Sequence, residues 1–212
     1  MSMPRKCLIS AGPTREWIDS VRFLSNPSSG KMGYELAEAA KEMGLEVTLV
    51  SGPVALSCPK GVDLIPVVTA LEMQDALLKR FSQMDLMFMT AAVSDHRPEY
   101  MGKIKVKKDR FPATLKLIPN PDILYELGAL KSSMQTLVGF AAESSNHLTN
   151  AQKKLKDKNL DWIVVNDISN DGIGFQSENN EVTLLSRSNE AFTLPLASKK
   201  RIAAEILNLV WK

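Results

Sequence analysis

The feature that most constrains the fold is the stretch DLMFMTAAV, residues 85–93. A strand with one wet face alternates apolar and polar residues. A near-continuous apolar run instead suits a central strand of a parallel sheet, buried on both faces. Similar stretches recur along the chain: KCLISAG (6–12), EVTLVSGP (46–53), DLIPVV (63–68), TLVGFAAES (136–144) and DWIVVND (161–167). Helical patterns separate several of them. Over 29–43, Met32, Leu36, Ala39, Ala40 and Met43 recur at helical spacing, and Gly44 supplies the stop. Thr69 and Glu72 form a T-x-x-E capping box opening a helix that runs to about residue 83. A lysine-rich helix fills the gap between the last two strands. EVTLLS (181–186) and AFTLPL (191–196) read as an antiparallel hairpin. The final helix, 198–212, gathers Ile202, Ile206, Leu209 and Val210 on one face.

Strands alternating with helices predict an α/β fold: a Rossmann-like, mostly parallel sheet with helices on both faces and a C-terminal antiparallel hairpin. A chain of 212 residues fits one such domain spanning 1–212. The zone 94–112, SDHRPEYMGKIKVKKDRFP, breaks the pattern. It is polar and basic, is interrupted by Pro98 and Gly102, and reads as a functional flap loop.

The net charge of +2 gives no reason to expect a nucleic-acid or membrane partner. No apolar stretch approaches the length of a bilayer span, and MSMPRK lacks a signal-peptide apolar region. Cys7 and Cys58 are unclustered, which suggests reduced thiols and a cytoplasmic protein. With only His96 and His147 as histidines, a protein-built zinc site is not expected.

The stretch SNPSSGKMG (25–33) resembles a phosphate-binding P-loop but fails the G-x-x-x-x-G-K-[ST] pattern twice: Ser25 stands at the first glycine and Met32 at the hydroxyl position. A small-residue turn feeding a helix N-terminus still offers N–H groups and a positive dipole end to an anion. The residues alone leave that cradle and an ordinary capped turn equally open. In open α/β sheets ligands bind at the carboxyl ends of strands. That rule selects SAGPTRE (10–16), TAAVSDHRP (90–98), GFAAES (139–144) and VNDIS (165–169).

Taken in order, SAGPTRE, VRFLSNPSSGKMG, LVSGP, TALEM, TAAVSDHRP, KIK, NPDIL, GFAAES and NDIS followed by GFQSENNEVTL resemble the phosphopantothenate–cysteine ligase family of coenzyme A biosynthesis. The resemblance implies an enzyme that activates the carboxylate of 4′-phosphopantothenate as an acyl-cytidylate, using CTP and Mg²⁺ and releasing pyrophosphate. L-cysteine then displaces CMP. It also implies a homodimer with its sites near the subunit interface. Because the chain opens at the ligase's first strand, a free-standing form is expected, with a separate phosphopantothenoylcysteine decarboxylase as pathway partner.

The resemblance assigns Asn26 and Lys103 to catalysis. Asp95, Lys103, Asn120, Pro121, Asp122, Ile123, Phe140, Lys154 and Lys158 become nucleotide-binding residues, and Gly12, Asn26, Ala91 and Ala92 substrate-binding residues; no protein metal ligand is implied. Lysines suit phosphates as mobile point charges, and the Asn26 amide can donate to a developing oxyanion at any pH. Read without the resemblance, Lys154 and Lys158 are a solvated helix face, Asn120 and Pro121 an N-cap and N1 pair, and Phe140 a core aromatic. Two departures stand out. The flap reads KIKVKK, with Val106 where a second lysine is expected, and the strand exit reads AVSDH, with Ser94 and His96 in place of alanine and an aromatic.

Two other classes compete. A nicotinamide-dependent reductase would need Tyr-x-x-x-Lys, but Tyr34, Tyr100 and Tyr125 are followed by Glu38, Ile104 and Ala129. A non-catalytic nucleotide sensor would keep the lysines without needing Asn26.

Overall fold

The structure is a computed structural model that describes residues 5–143, 147–167 and 177–211. Parts of three motifs quoted above, namely Ser144, Ile168 with Ser169, and Gly174 to Gln176, lie outside the described residues.

The strands are β1 (Lys6–Ala11), β2 (Arg15–Trp17), β3 (Phe23–Ser25), β4 (Glu46–Ser51), β5 (Asp63–Pro66), β6 (Leu86–Met89), β7 (His96–Pro98), β8 (Leu117–Pro119), β9 (Thr136–Glu143), β10 (Trp162–Asp167), β11 (Asn179–Ser186) and β12 (Ala191–Ser198). The helices are α1 (Lys31–Glu42), α2 (Ala70–Phe81), α3 (Ile123–Leu130), α4 (His147–Asp157) and α5 (Lys199–Val210). Eight strands form one sheet in the order β12-β11-β10-β9-β6-β1-β4-β5. From β5 across to β10 every pairing is parallel, and β11 and β12 close the edge as the expected antiparallel hairpin.

The apolar runs work as their pattern requires. In β1, Cys7, Ile9 and Ala11 face one layer while Leu8 faces the other. In β6, Leu86 and Phe88 join the first layer and Met87 joins the second. The first layer is covered by α1 and α5 through Leu36, Ala40, Ile202 and Ile206. The second is covered by α2, α3 and α4 through Met73, Leu77, Leu127 and Leu155. Phe88, Leu8 and Leu36 are fully buried, and each such side chain contributes about 1.5–3 kcal/mol through burial.

Several local expectations change. Met43 ends α1 as its C-cap and is 44% exposed, so the core face stops at Ala40. In α5 the inward face includes Leu207 and leaves Leu209 only partly buried, because Leu207 falls one position after Ile206 on the sheet side. The capping box at Thr69 and Glu72 is present, and α2 ends at Phe81. The run 85–93 yields a strand only as far as Met89. Beyond it the Thr90 hydroxyl donates to Ser10 O, and the chain rejoins its neighbour through a lone Pro13–Ala92 bridge. Two short hairpins, β2–β3 and β7–β8, carry no alternation long enough to read. The second forms because 96–98 pairs with 117–119, which turns the start of the irregular zone into structure.

Candidate active site

The connection leaving β1 runs through α1 to β4 on one side, while that leaving β6 runs to β9 on the other. Such a reversal opens a crevice at the carboxyl ends of the strands. A cavity of about 460 Å³ lies there. It is lined by the turn before α1 and that helix's first residues, by Ala91 to Val93 after β6, by Phe140 of β9, and by Lys154, Asn166, Asn180 and Lys199.

The start of α1 suits an anion better than its capping-type residues suggested. Its N-cap is Gly30, held at φ 76°, and no side chain caps the helix. Ser28 Oγ instead accepts from Gly30 N at 3.3 Å, tightening the turn. A Cβ on Gly33 would stand 2.6 Å from both Ala11 Cβ and Thr90 Oγ1. Glycine there lets α1 press against the ends of β1 and β6, bringing Gly30, Lys31 and Met32 to the cavity wall.

Asn26 lines the cavity beside Ala91 and Ala92, so three of the four expected substrate-binding residues meet. Its Nδ2 donates to Ala92 O at 3.2 Å and to Val93 O at 3.4 Å, tying the turn before α1 to the β6 exit. Gly12 is not in the lining. Its carbonyl accepts from Ala92 N at 2.9 Å, and it packs beneath Gly30, so it supports the floor.

A smaller cavity of about 210 Å³ adjoins the first, sharing Ala91, Val93, Asp95 and Phe140. It adds Asn120, Pro121, Asp122, Ile123 and Lys158. The expected nucleotide set therefore divides between two contiguous cavities, with Asp95 and Phe140 at the junction. Lys154 and Lys158 share a helical turn, with Lys158 N donating to Lys154 O at 3.0 Å, yet Lys158 lies one residue beyond α4 and the two serve different cavities. Lys158 Nζ pairs with Asp122 at 2.8 Å.

Asn120 does not cap α3. Asp122 does, accepting from Tyr125 N at 3.1 Å, because the chain turns helical only after Pro121. Asn120 is a fastener instead. Its Nδ2 donates to Ser94 O at 2.8 Å, and its Oδ1 accepts from Arg97 Nη1 at 2.9 Å. Lys103 is exposed in the flap and lines neither cavity; its neighbour Ile104 is 82% exposed.

Asn166, Asn180 and Lys199 also line the cavity, and none of them is among the assigned site residues. The first two fall in quoted motifs, VNDIS and ENNEVTL, where a polar residue at a strand end was a usable signal. Lys199 carried another, a cation in the first turn of a helix, where the dipole disfavours positive charge. Lys199 is 6% exposed, and burial, then the nearby Lys31, lower its pKa against the opposing pull of Glu178. Lys31 itself pairs with Glu178. Among the described residues, Lys31, Lys154 and Lys199 line the cavity with Asp95, and Glu178 pairs with Lys31, which leaves an excess of cations that favours an anionic ligand.

Among the described residues no group of three or more His, Cys, Asp or Glu could hold a metal. Mg²⁺ is usually held by one or two protein oxygens plus substrate phosphates. Asp95 and the Asn166 Oδ1, a buried acceptor without a hydrogen-bond partner, supply oxygens of that kind.

Residues 3–212 match the model of the DNA/pantothenate metabolism flavoprotein C-terminal domain. The coenzyme A biosynthesis bifunctional protein CoaBC of Vibrio cholerae is 44% identical over 208 residues, covering 97% of this chain and 52% of that protein. The chain thus spans about half the length of the curated relatives it matches. A crystal structure of the C-terminal domain of a CoaBC bifunctional protein is 42% identical, with a TM-score of 0.83 over 97% of this chain and 93% of that one. A Cab2 mutant in complex with phosphopantothenate-cysteine shares the fold at 19% identity, with a TM-score of 0.81 over 97% and 85% of the respective chains. With a family match running from residue 3 to the C-terminus and a sheet that places the motif residues around one crevice, the chain belongs to the DNA/pantothenate metabolism flavoprotein C-terminal domain family.

Proposed function

We propose that the chain is a phosphopantothenate–cysteine ligase acting through an acyl-cytidylate. The observation that carries this reading is the meeting of Asn26, Ala91, Ala92, the N-terminus of α1 and three lysines in one crevice. Relatives include bifunctional coenzyme A biosynthesis proteins, and a structural neighbour holds phosphopantothenate-cysteine.

In the first step the pantothenate carboxylate attacks the α-phosphorus of CTP, and the bond to pyrophosphate breaks. In the second the cysteine amine attacks the acyl carbon, CMP leaves with the bonding electrons, and the amine loses a proton. The N-terminus of α1 and the surrounding lysines offset the anionic charge that develops at the phosphates. In this reading the acyl carbon lies beside Asn26, which lines the crevice. Its longer contact, to Val93 O, can yield one N–H to the oxyanion of the second step. Mg²⁺, held by Asp95 and Asn166 with the phosphates, would neutralise charge on the leaving pyrophosphate.

The nucleotide spans both cavities in this reading, with its base toward Asn120, Pro121, Asp122, Ile123 and Phe140. Lys103 reaches it when the flap folds over. Val21, Phe23, Tyr100, Ile104 and Leu117 are exposed apolar residues of β3, the flap and β8 or their flanks. We assign these exposed apolar residues to contact with a second copy of the chain, giving a homodimer. The product retains the cysteine carboxylate and passes to a phosphopantothenoylcysteine decarboxylase. The described residues contain no helix long and apolar enough to cross a membrane, in keeping with work in the cytoplasm on soluble substrates.

The test is pyrophosphate release by the purified protein with 4′-phosphopantothenate and Mg²⁺, comparing CTP with ATP, with and without L-cysteine. Release with CTP, and turnover only with cysteine, is expected. Turnover with ATP alone would overturn the choice of nucleotide, and no release with either would overturn the ligase.

A further inference from the structure

The β1 exit SAGPTRE contains a residue that lines neither cavity yet ties together two segments that do. Thr14 is fully buried, at 0% exposure. The ladder between β1 and β6 ends at the Ser10–Met89 pair, and the two exits meet again at the Pro13–Ala92 bridge. Past that bridge Thr14 takes over from regular backbone pairing. Its N–H donates to Ala92 O at 3.4 Å, and its Oγ1 accepts from Ser94 N at 3.1 Å in a buried bond. Its carbonyl accepts from Ser25 Oγ at 2.7 Å. A buried N–H such as that of Ser94 needs a partner, and the Thr14 hydroxyl is the acceptor that meets it. Each contact sits beside a residue of the proposed chemistry, because Ser25 precedes Asn26 and Ser94 precedes Asp95. Ala92 O accepts from Thr14 N and Asn26 Nδ2 together. Ser94 O accepts from Asn120 Nδ2 at 2.8 Å, so the line of bonds runs on into the smaller cavity.

Resting on the ligase reading above, we infer that Thr14 is a positioning residue of the active site: its hydroxyl and carbonyl set the spacing between Asn26 and Asp95, which stands at the junction of the two cavities. Thr14 touches no reactant. It acts through Ser94 N on one side and Ser25 Oγ on the other. The reaction needs the acyl carbon beside Asn26 and the nucleotide beside Asp95 in a single arrangement, and a misplacement of about 1 Å in such a site can cost about 10²-fold in rate. Threonine supplies a buried acceptor without a charge. Valine has nearly the same shape but no acceptor, so it would leave the Ser94 N–H unpaired and drive the Ser94–Asp95 segment to shift toward another partner. Ser94 enters this contact through its backbone, so the contact is indifferent to serine standing where the family pattern carries alanine.

The experiment compares wild type, Thr14→Val, Thr14→Ser and Ser25→Ala at a temperature where each is folded by circular dichroism. It reads the pyrophosphate burst, the cysteine-dependent turnover, and the Kd for CTP by calorimetry with Mg²⁺ present. Thr14→Val releases the Asp95 side, and should weaken CTP binding about tenfold and slow the burst by up to about 10²-fold. Ser25→Ala releases the Asn26 side, and should slow the cysteine-dependent step while the burst and the CTP Kd stay close to wild type. Thr14→Ser keeps the oxygen and should recover most of what Thr14→Val loses. A threonine that serves stability alone would lower the melting temperature and leave all three readings within about twofold of wild type; that result overturns the proposal and leaves the ligase standing. Equal losses in Thr14→Val and Thr14→Ser overturn it as well, because the hydroxyl would then not be the agent. If Thr14→Val does not fold, Ser25→Ala decides alone, and an unchanged cysteine-dependent step in that variant overturns the proposal. A wild type that binds no CTP and releases no pyrophosphate overturns the ligase reading itself.

Discussion

Asp19 and Arg22 hold one flap residue from two sides. Val106 N donates to Asp19 Oδ2 at 3.2 Å, and Arg22 Nη1 donates to Val106 O at 3.3 Å while pairing with Asp19 at 2.7 Å. The grip is on the backbone, so the residue type at 106 is free to vary, which accounts for valine where the family pattern carries lysine. The Arg22 guanidinium also stacks over Phe111 at 4.4 Å, fixing the far side of the flap.

Asp19→Ala should therefore loosen the flap without disturbing the sheet. Trypsin should cleave faster after Lys103 and Lys105, the KM for nucleotide should rise several-fold, and the melting temperature should fall, because a buried carboxylate that accepts from Val21, Arg22 and Val106 is lost. Burial pushes the Asp19 carboxyl up, but the N–H groups of Val21, Arg22 and Val106, with the Arg22 charge, outweigh it and hold the pKa below the usual range. A lowered folded pKa means that this anchoring is complete above the ordinary aspartate value, about 3.9, and is lost as pH falls through the folded one. Cleavage that is unchanged in the variant at neutral pH would refute the clamp.

Asn26→Ala removes a donor to two strand-exit carbonyls and, in the proposed reaction, the donor assigned to the oxyanion. Each lost hydrogen bond is worth about 1 kcal/mol, so the variant should fold. The loss of an oxyanion donor typically costs about 10²–10³ in rate. The expected signature is a pyrophosphate burst near one equivalent per site followed by slow cysteine-dependent turnover. Equal slowing of both steps would place Asn26 in binding alone.

The sheet was legible because burial on both faces leaves no room for polar alternation, so β1, β4, β6, β9 and β10 announce themselves as apolar runs. The short hairpins were not. Three-residue strands such as β2 and β7 carry too few side chains to show a period, and long-range pairing forms them. The site followed the same division. Asn26, Ala91, Ala92, Asp95 and Phe140 stand at strand exits or before a helix start, where topology places ligands. The cap reading of Asn120 failed because its neighbourhood satisfies the local rule for a cap, while Ser94 O and Arg97, contacts from distant sequence, claim its side chain. Lys199 was missed because a lysine beside Lys200 and Arg201 looks like a solvated turn until the fold buries it.

Glu35 lies on α1 against α5 with its Oε2 buried and unpartnered. Burial raises its pKa, and Glu38 adds to the shift, Lys200 opposing. For an acid with a raised folded pKa, the charged form burdens the folded state. The burden is absent below the ordinary glutamate value, about 4.3, and appears as pH rises through the folded pKa. Glu35→Gln should raise the melting temperature at pH 8 and leave it unchanged at pH 4. An equal gain at both would show that the effect is packing and not charge.

Gly33→Ala sets two effects against each other within α1. Alanine in place of glycine inside a helix ordinarily gains about 1 kcal/mol. Here the new Cβ would stand 2.6 Å from Ala11 Cβ and Thr90 Oγ1 and 3.1 Å from Ser10 O. Ala11 Cβ is fixed by β1, and the Thr90 hydroxyl is bonded to Ser10 O, so neither retreats cheaply. Overpacking of this kind costs about 1–3 kcal/mol, enough to cancel or exceed the propensity gain. The melting temperature should fall, and α1 should move off the ends of β1 and β6, carrying Gly30 and Lys31 away from the cavity wall. Phosphate-ligand affinity should then drop even at temperatures where the variant is fully folded. A variant that melts higher than wild type with unchanged CTP affinity would show that the helix accommodates the methyl group, and the close packing of α1 would no longer explain how its N-terminus reaches the crevice.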